Sequence, residues 1–256
     1  MKAVILAGGF GSRLREETEF KPKPLIPIGD KPILWHIMKN LAKQGINEFI
    51  IAGGYKHEMI KDYFLNMNAR QGDLRINTKN ASFEVISDLK NDDDWVVSIV
   101  NTGLSTMTGG RILALKEHIG DEKFICTYGD GLADIEIEKL IAFHNSHNGI
   151  ATVTAAKPPS RFGILDIGEN NQVVKFTEKP LSLGFVNAGF FCFEPEVFNY
   201  LAPDSILERE PLEKIASNGE LFAYKHHGFW KPMDTIRDTK DLIEIWNSHN
   251  PPWKNW

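Results

Sequence analysis

The amino-acid sequence predicts an α/β protein with a mostly parallel sheet, helices on both of its faces, and local antiparallel pairing in the later half. Three observations predict it. Short apolar runs alternate with segments of helical period up to about residue 147, the order that builds βαβ units. The first apolar run stops at Gly8-Gly9, as a buried strand feeding a loop does. Further on, two β-rich runs flank Glu169-Asn170-Asn171, a hairpin signal.

Residues 2–7 read as the first buried strand because the run is short and apolar. Residues 32–44 place Leu34, Ile37, Met38 and Leu41 on one helix face, with Pro32 at the start and Gly45 past the end. Residues 48–52 form a second strand and 57–65 a second helix. Residues 124–128 are a third strand, followed by a helix from 135 to about 147. Between them, residues 66–95 are polar and the least regular; they end in Asn91-Asp92-Asp93-Asp94, which reads as a solvated loop. Residues 163–167 and 173–177 form the hairpin, and the Phe-rich run 186–193 another strand. Residues 204–218 and 236–249 read as helices, with Gly219 as the C′ residue of the first. No repeat or low-complexity linker divides the chain, so one domain is expected over 1–256. The ending Pro251-Pro252-Trp253-Lys254-Asn255-Trp256 either folds back on its own domain or packs on a neighbouring subunit.

The formal net charge of -5 argues against a nucleic-acid sheath, which needs a basic footprint. No apolar run approaches a membrane span, and the opening run is too short for a signal peptide, so no membrane partner and a cytoplasmic location are expected. Cys126 and Cys192 sit in apolar, strand-like runs without a Cys-x-x-Cys partner, and read as buried thiols. His226 and His227 are adjacent strand residues that point to opposite faces, a poor arrangement for one ion.

The segment Leu6-Ala7-Gly8-Gly9-Phe10-Gly11-Ser12-Arg13-Leu14 is the first candidate site. Glycines after a first strand let backbone N–H groups approach phosphate closely. The segment is not a P-loop, because Ser12-Arg13 follows Gly11 where Lys-Ser/Thr is needed. It also fails the dinucleotide fingerprint, because Leu14 stands where the third glycine belongs. Arg13 can grip phosphate oxygens with two parallel bonds. Lys23, in Lys21-Pro22-Lys23-Pro24, adds a point charge held by prolines; read alone, it is equally a basic surface turn.

Asp130, in Tyr128-Gly129-Asp130-Gly131, follows an apolar strand, where a carboxylate points into the crevice at the strand end. It is either a magnesium ligand or a turn residue. Asp234 precedes a helix in which Thr235 and Asp238 have capping-box spacing, so it is either a second metal ligand or part of a cap. Glu178-Lys179, taken alone, is an exposed strand end.

Gly-Gly-x-Gly-Ser-Arg-Leu, then Pro-Lys-Pro-Leu, then Asp30-Lys31-Pro32 resembles the opening signature of the sugar-1-phosphate nucleotidylyltransferases. The resemblance runs along essentially the whole chain. The segment from Asn101-Thr102-Gly103 to Thr108-Gly109-Gly110-Arg111, and the Pro-Pro-Trp-Lys-x-Trp ending, are most similar to the glucose-1-phosphate cytidylyltransferases; the thymidylyl and uridylyl relatives usually carry a Gln-Pro pair in the central region. The resemblance implies a Rossmann-like mixed sheet, with residues up to about 135 serving the nucleotide and those from about 136 serving the sugar and oligomerisation. It implies CTP and glucose 1-phosphate as substrates, with CDP-glucose and pyrophosphate as products. It also implies Mg2+ on Asp130 and Asp234, and a homo-oligomer, hexamer or tetramer, serving deoxysugar synthesis for surface polysaccharide. The nucleotide would be held by residues 6–13 with Lys23, Ser105, Thr106, Gly109, Gly110, Arg111 and Gly129, and Arg13, Lys23 and Asp130 would be catalytic. The sugar would be held by Gly163, Glu178, Lys179, Asn187 and Gly189. The Trp-x-Asp-x-Thr-like element is matched here by Trp230-Lys231-Pro232-Met233-Asp234-Thr235, which is longer than the family's spacing. The same chemistry with UTP, dTTP or another hexose phosphate stands as the alternative. A non-catalytic sugar-nucleotide sensor is the reading from another class, disfavoured because a pure binder needs no metal pair.

Overall fold

Residues Ala3–Ala7 are apolar and buried at every position, because the strand they form lies in the middle of a sheet covered on both faces. The computed structural model describes residues 1–87, 93–158, 164–178 and 184–256. Among the described residues, seven strands build the main sheet. They are β1 Ala3–Ala7, β2 Glu48–Gly53, β3 Val96–Asn101, β4 Phe124–Tyr128, β5 Ala151–Ala156, β6 Val186–Phe193 and β7 Leu221–His226. Their order is β7-β5-β6-β4-β1-β2-β3. The pairs β1–β2, β1–β4, β2–β3 and β5–β7 are parallel, and β6 runs antiparallel between β4 and β5. The sheet is therefore mostly parallel and mixed.

The main helices are α1 Ile33–Ala42, α2 His57–Leu65, α3 Thr108–Ala114, α4 Ile137–Asn145, α5 Glu210–Ser217 and α6 Ile236–Asn247. Successive β-strand side chains point to opposite faces, and each face feeds its own core. Ala3, Ile5 and Ala7 pack with α1, α2, α4 and α6, whereas Val4 and Leu6 pack with α3 and α5. The hairpin is present as Ile164–Ile167 paired with Val173–Thr177, with Asn170 and Asn171 in the left-handed region at its turn. Cys126 and Cys192 are free and buried, and burial pushes both thiols up, that of Cys192 to about 12. Among the described residues, no helix is long and apolar enough to cross a membrane.

Three expectations change, and one helix is added. The helix expected over 204–218 begins at Glu210, because the Pro211 ring lacks an N–H and fits only the first turn. The stretch 66–95 holds a short helix, Met67–Gln71, and a hairpin of Leu74–Asn77 with Ser82–Val85; that hairpin buries no residue, so no apolar period marked it. Asp93 is not solvated: its side chain is 1% exposed, its Oδ1 lies 2.5 Å from Lys39 Nζ, and its Oδ2 accepts from Trp35 Nε1 at 2.8 Å. Helix α3 was hidden by Gly109 and Gly110, where a β-carbon would run into Ser205 and the Pro203 carbonyl.

The ending folds back on its own domain. Trp253 is fully buried beside Trp246, Phe229 and His36, and its carbonyl accepts from Asn40 Nδ2 at 2.7 Å. His36 Nε2 lies 2.8 Å from the Ile28 carbonyl, so the neutral ring donates there. Burial is the main cause that lowers the His36 pKa to about 4, against the partial opposition of that carbonyl. Unfolded histidine titrates near 6.5, so between about 4 and 6.5 the unfolded chain binds the extra proton and stability rises with pH. Stability is expected to be level above about pH 6.5 and to fall by about 3 kcal/mol from this group as pH drops toward 4. Urea unfolding at pH 7 and pH 4.5 measures it, and equal midpoints would contradict it.

Candidate functional site

The parallel order brings the carboxyl ends of β1, β2 and β4 to one edge, where an open α/β sheet forms its crevice. The glycine loop leaves β1 there. Gly11, at φ 64, turns the chain, and the Leu14 N–H closes onto its carbonyl at 2.8 Å. The Gly8 carbonyl accepts from Tyr55 N at 3.1 Å and from Arg111 Nη2 at 3.0 Å. A β-carbon at Gly8 would overlap the Arg111 guanidinium, so glycine is required at this close approach.

Arg111 is buried, and its guanidinium bonds Gly53 O at 3.1 Å, Gly103 O at 2.8 Å, Leu104 O at 3.3 Å and Thr102 Oγ1 at 2.6 Å. Burial lowers its pKa. Its fork of donors thus ties the glycine loop to the 101–104 segment, although the side chain still lines the cleft.

Asp130 and Asp234 meet through a short ladder. Gly131–Ala133 pairs antiparallel with Trp230–Pro232, and Met233 N donates to the Asp130 carbonyl at 2.8 Å. The ladder begins just after one aspartate and ends just before the other, so the two carboxylates face one point. Thr235 takes the capping role, its hydroxyl accepting from Asp238 N at 3.2 Å while Asp238 reaches back. That leaves the Asp234 carboxylate to the cleft.

Lys23 Nζ stands between them, 2.6 Å from Asp130 Oδ2 and 2.9 Å from Asp234 Oδ1. Arg13 Nη1 lies 2.6 Å from Asp234 Oδ2 with its side chain 72% exposed, so it is reachable by a ligand. Burial works to lower the Lys23 pKa, and the two carboxylates, Asp130 foremost, outweigh it, so the pKa stands above its ordinary value. The ammonium marks where a cation fits between two hard oxygen donors. Magnesium is commonly held by one or two carboxylates with substrate phosphates completing its shell, and these two residues match that donor set. Among the described residues no cluster of three or more His, Cys, Asp or Glu can hold an ion by itself.

Two hollows open from this point and share Arg13, Tyr128 and Asp130. The first, of about 490 Å³, is lined by Leu6 through Arg13, Lys23, Ser105, Thr106, Arg111 and Gly129. The second, of about 360 Å³, is lined by Asn187, Ala188, Glu208, Trp230 and Asp234. Gly109 and Gly110 line neither; they press on Ser205 and Pro203. Gly189, at φ 79, packs under the Tyr128 ring. Glu178 ends the hairpin and is not among the lining residues. Gly163 and Lys179 lie outside the described residues.

Sequence reasoning passed over Tyr128 and Glu208. The Tyr128 hydroxyl donates to the Glu208 carboxylate, and Thr108 Oγ1 donates to Glu208 Oε2 at 2.7 Å. Burial chiefly, and the Glu208 charge next, raise the Tyr128 pKa, so it remains a neutral donor. Tyr128 sat in view at a strand end, but Glu208 carries no motif.

The model of one protein family, described as nucleotidyl transferase, matches residues 2–231. The chain belongs to the nucleotidyl transferase family. Over 259 residues it is 48% identical to the glucose-1-phosphate cytidylyltransferase of Salmonella typhi, covering 100% of both chains. It is 43% identical over 258 residues to the probable glucose-1-phosphate cytidylyltransferase of Bacillus subtilis (strain 168), again covering 100% of both. Among solved structures, HddC from Yersinia pseudotuberculosis shares the fold with a TM-score of 0.69, at 24% identity over 96% of this chain and 99% of that one.

Proposed function

We propose that this nucleotidyl transferase moves a cytidylyl group from CTP to glucose 1-phosphate, giving CDP-glucose and pyrophosphate. Full-length identity of 48% to a protein of that name supports the choice of nucleotide and sugar. The observation that carries the chemistry is Lys23 Nζ at 2.6 and 2.9 Å from two carboxylates at the junction of two hollows.

The nucleotide takes the glycine-loop hollow, where backbone N–H groups receive phosphate and Ser105 and Thr106 face the base. The sugar phosphate takes the hollow beside Asn187, with Gly163, Glu178, Lys179 and Gly189 as further sugar contacts by family resemblance. Its phosphate is largely dianionic at neutral pH, with a second pKa of about 6, so attack on the α-phosphorus needs no general base. Arg13 holds the β- and γ-phosphates and Lys23 the α-phosphate. They align attacking and leaving oxygens and neutralise the charge that moves to pyrophosphate. Asp130 and Asp234 would hold magnesium, which when bound would supply charge neutralisation at the reacting phosphates. Residues up to about 135 form the nucleotide-binding part, and the rest the sugar-binding and oligomerising part. The protein works as a homo-oligomer in the cytoplasm.

Pyrophosphate release measured with each nucleoside triphosphate against several sugar 1-phosphates, with and without magnesium, tests this. A metal-dependent signal for CTP with glucose 1-phosphate is expected. A stronger signal with another pair would discard the base or sugar choice, and no release with any pair would discard the catalytic reading.

A further inference from the structure

We propose that Glu208 accepts a hydrogen bond from a ring hydroxyl of the sugar phosphate and so sets sugar specificity. This rests on the assignment of the Asn187-lined hollow to the hexose. Glu208 sits before helix α5, outside every motif, yet both of its oxygens are aimed. One receives the Tyr128 hydroxyl, and the other receives Thr108 Oγ1 at 2.7 Å. Thr108 Oγ1 itself accepts from Leu207 N at 2.9 Å, which directs its proton to Glu208. Asn187, whose Oδ1 accepts from Gly189 N at 2.8 Å, lines the same hollow as Tyr128 and Glu208. Two independent tethers therefore hold the carboxylate at the wall of the cleft.

Among the described residues no lysine or arginine forms an ion pair with Glu208. An ionised carboxylate has about four lone-pair sites, and two hydroxyls occupy two of them. The remaining sites accept and cannot donate, so they suit O–H groups and repel phosphate oxygens. The cleft thus carries cations, Arg13 and Lys23, at one place and an unpaired carboxylate at another. A molecule with a phosphate at one end and hydroxyls at the other is oriented by that contrast. Ribose hydroxyls share the chemistry, but Glu208 lines the hollow with Asn187 and Trp230, whereas the other hollow's lining includes the glycine loop and not Glu208.

The test compares wild type and Glu208→Gln, both checked for an unchanged thermal midpoint, on glucose 1-phosphate and its 2-, 3-, 4- and 6-deoxy analogues. It also compares CTP with 2′-deoxy-CTP. A hydrogen bond to a charged group is lost with the missing hydroxyl, so wild type is expected to disfavour one analogue by about 10- to 100-fold in kcat/KM. In Glu208→Gln that ratio is expected to collapse to about threefold or less, with KM for CTP unchanged. Equal discrimination in both proteins overturns the proposal. Collapse of the CTP to deoxy-CTP ratio instead assigns Glu208 to ribose and also overturns it. If wild type turns over every analogue equally, the sugar hollow itself has been misassigned, a failure distinct from the other two.

Discussion

Lys23→Ala is expected to lower kcat by about 10²- to 10³-fold, the size found when one preorganised donor is removed from a developing charge. The ammonium is 10% exposed and held at a fixed point, 2.6 Å from Asp130 Oδ2 and 2.9 Å from Asp234 Oδ1, so its truncation removes a charge already placed for the reaction. Lys23→Arg is expected to rescue little, because a planar fork does not fit the slot between Asp130 and Asp234 that a point charge fills. Steady-state pyrophosphate release measures both. A Lys23→Ala rate within fivefold of wild type would remove the residue from the reaction.

Asp93→Ala is expected to cost about 3–5 kcal/mol of stability, because it removes a buried carboxylate that Lys39 Nζ bonds at 2.5 Å and Trp35 Nε1 at 2.8 Å. The Lys39 side chain is 6% exposed, and its Nζ lies 5.8 Å from the centre of the Trp35 ring. Replacing both partners, Lys39→Met with Asp93→Leu, is expected to recover most of the loss, since an apolar pair of similar volume needs no solvation. Urea unfolding of the single and double variants decides between this and a simple loss of packing, in which the double variant would be no better than the single.

Much of the fold was legible where burial is complete on both faces. Strands β4 and β6 fall on the expected residues because each is a continuous apolar run, whereas helix α2 does so on its helical period although Ile60 alone in it is buried. Strand β5 is built of Ala, Thr and Val and carries a weak apolar signal, whereas β3, Val-Val-Ser-Ile-Val-Asn at the sheet edge, is apolar but directly follows the polar 66–95 stretch. Helix α3 hides behind two glycines that tertiary contact requires. In the site, Arg13, Lys23 and Asp130 were legible because each follows directly from a strand end or a proline-fixed turn. The meeting of Asp130 with Asp234 depends on a three-residue ladder between distant segments, which no local pattern announces. The division of labour between Asp234 and Thr235 was likewise open: the cap uses the Thr235 and Asp238 side chains, and of Asp234 only its backbone N–H, which donates to Asp238 Oδ2 at 3.2 Å. Arg111 was visible as a cation, but its commitment to carbonyl groups follows only from the folded 101–104 segment.

The burial of Trp253 against helix α1 has a consequence for the order of events in synthesis. The bond from Asn40 Nδ2 to the Trp253 carbonyl joins residues 213 positions apart. Helix α1 therefore leaves the ribosome long before the segment that seals its outer face, and its apolar flank waits in contact with solvent or a chaperone. Closing so long a loop is slow relative to local helix formation. Assembly of the domain is thus gated by the arrival of Trp253 and Trp256, and a nascent chain lacking them carries an open seam along helix α1.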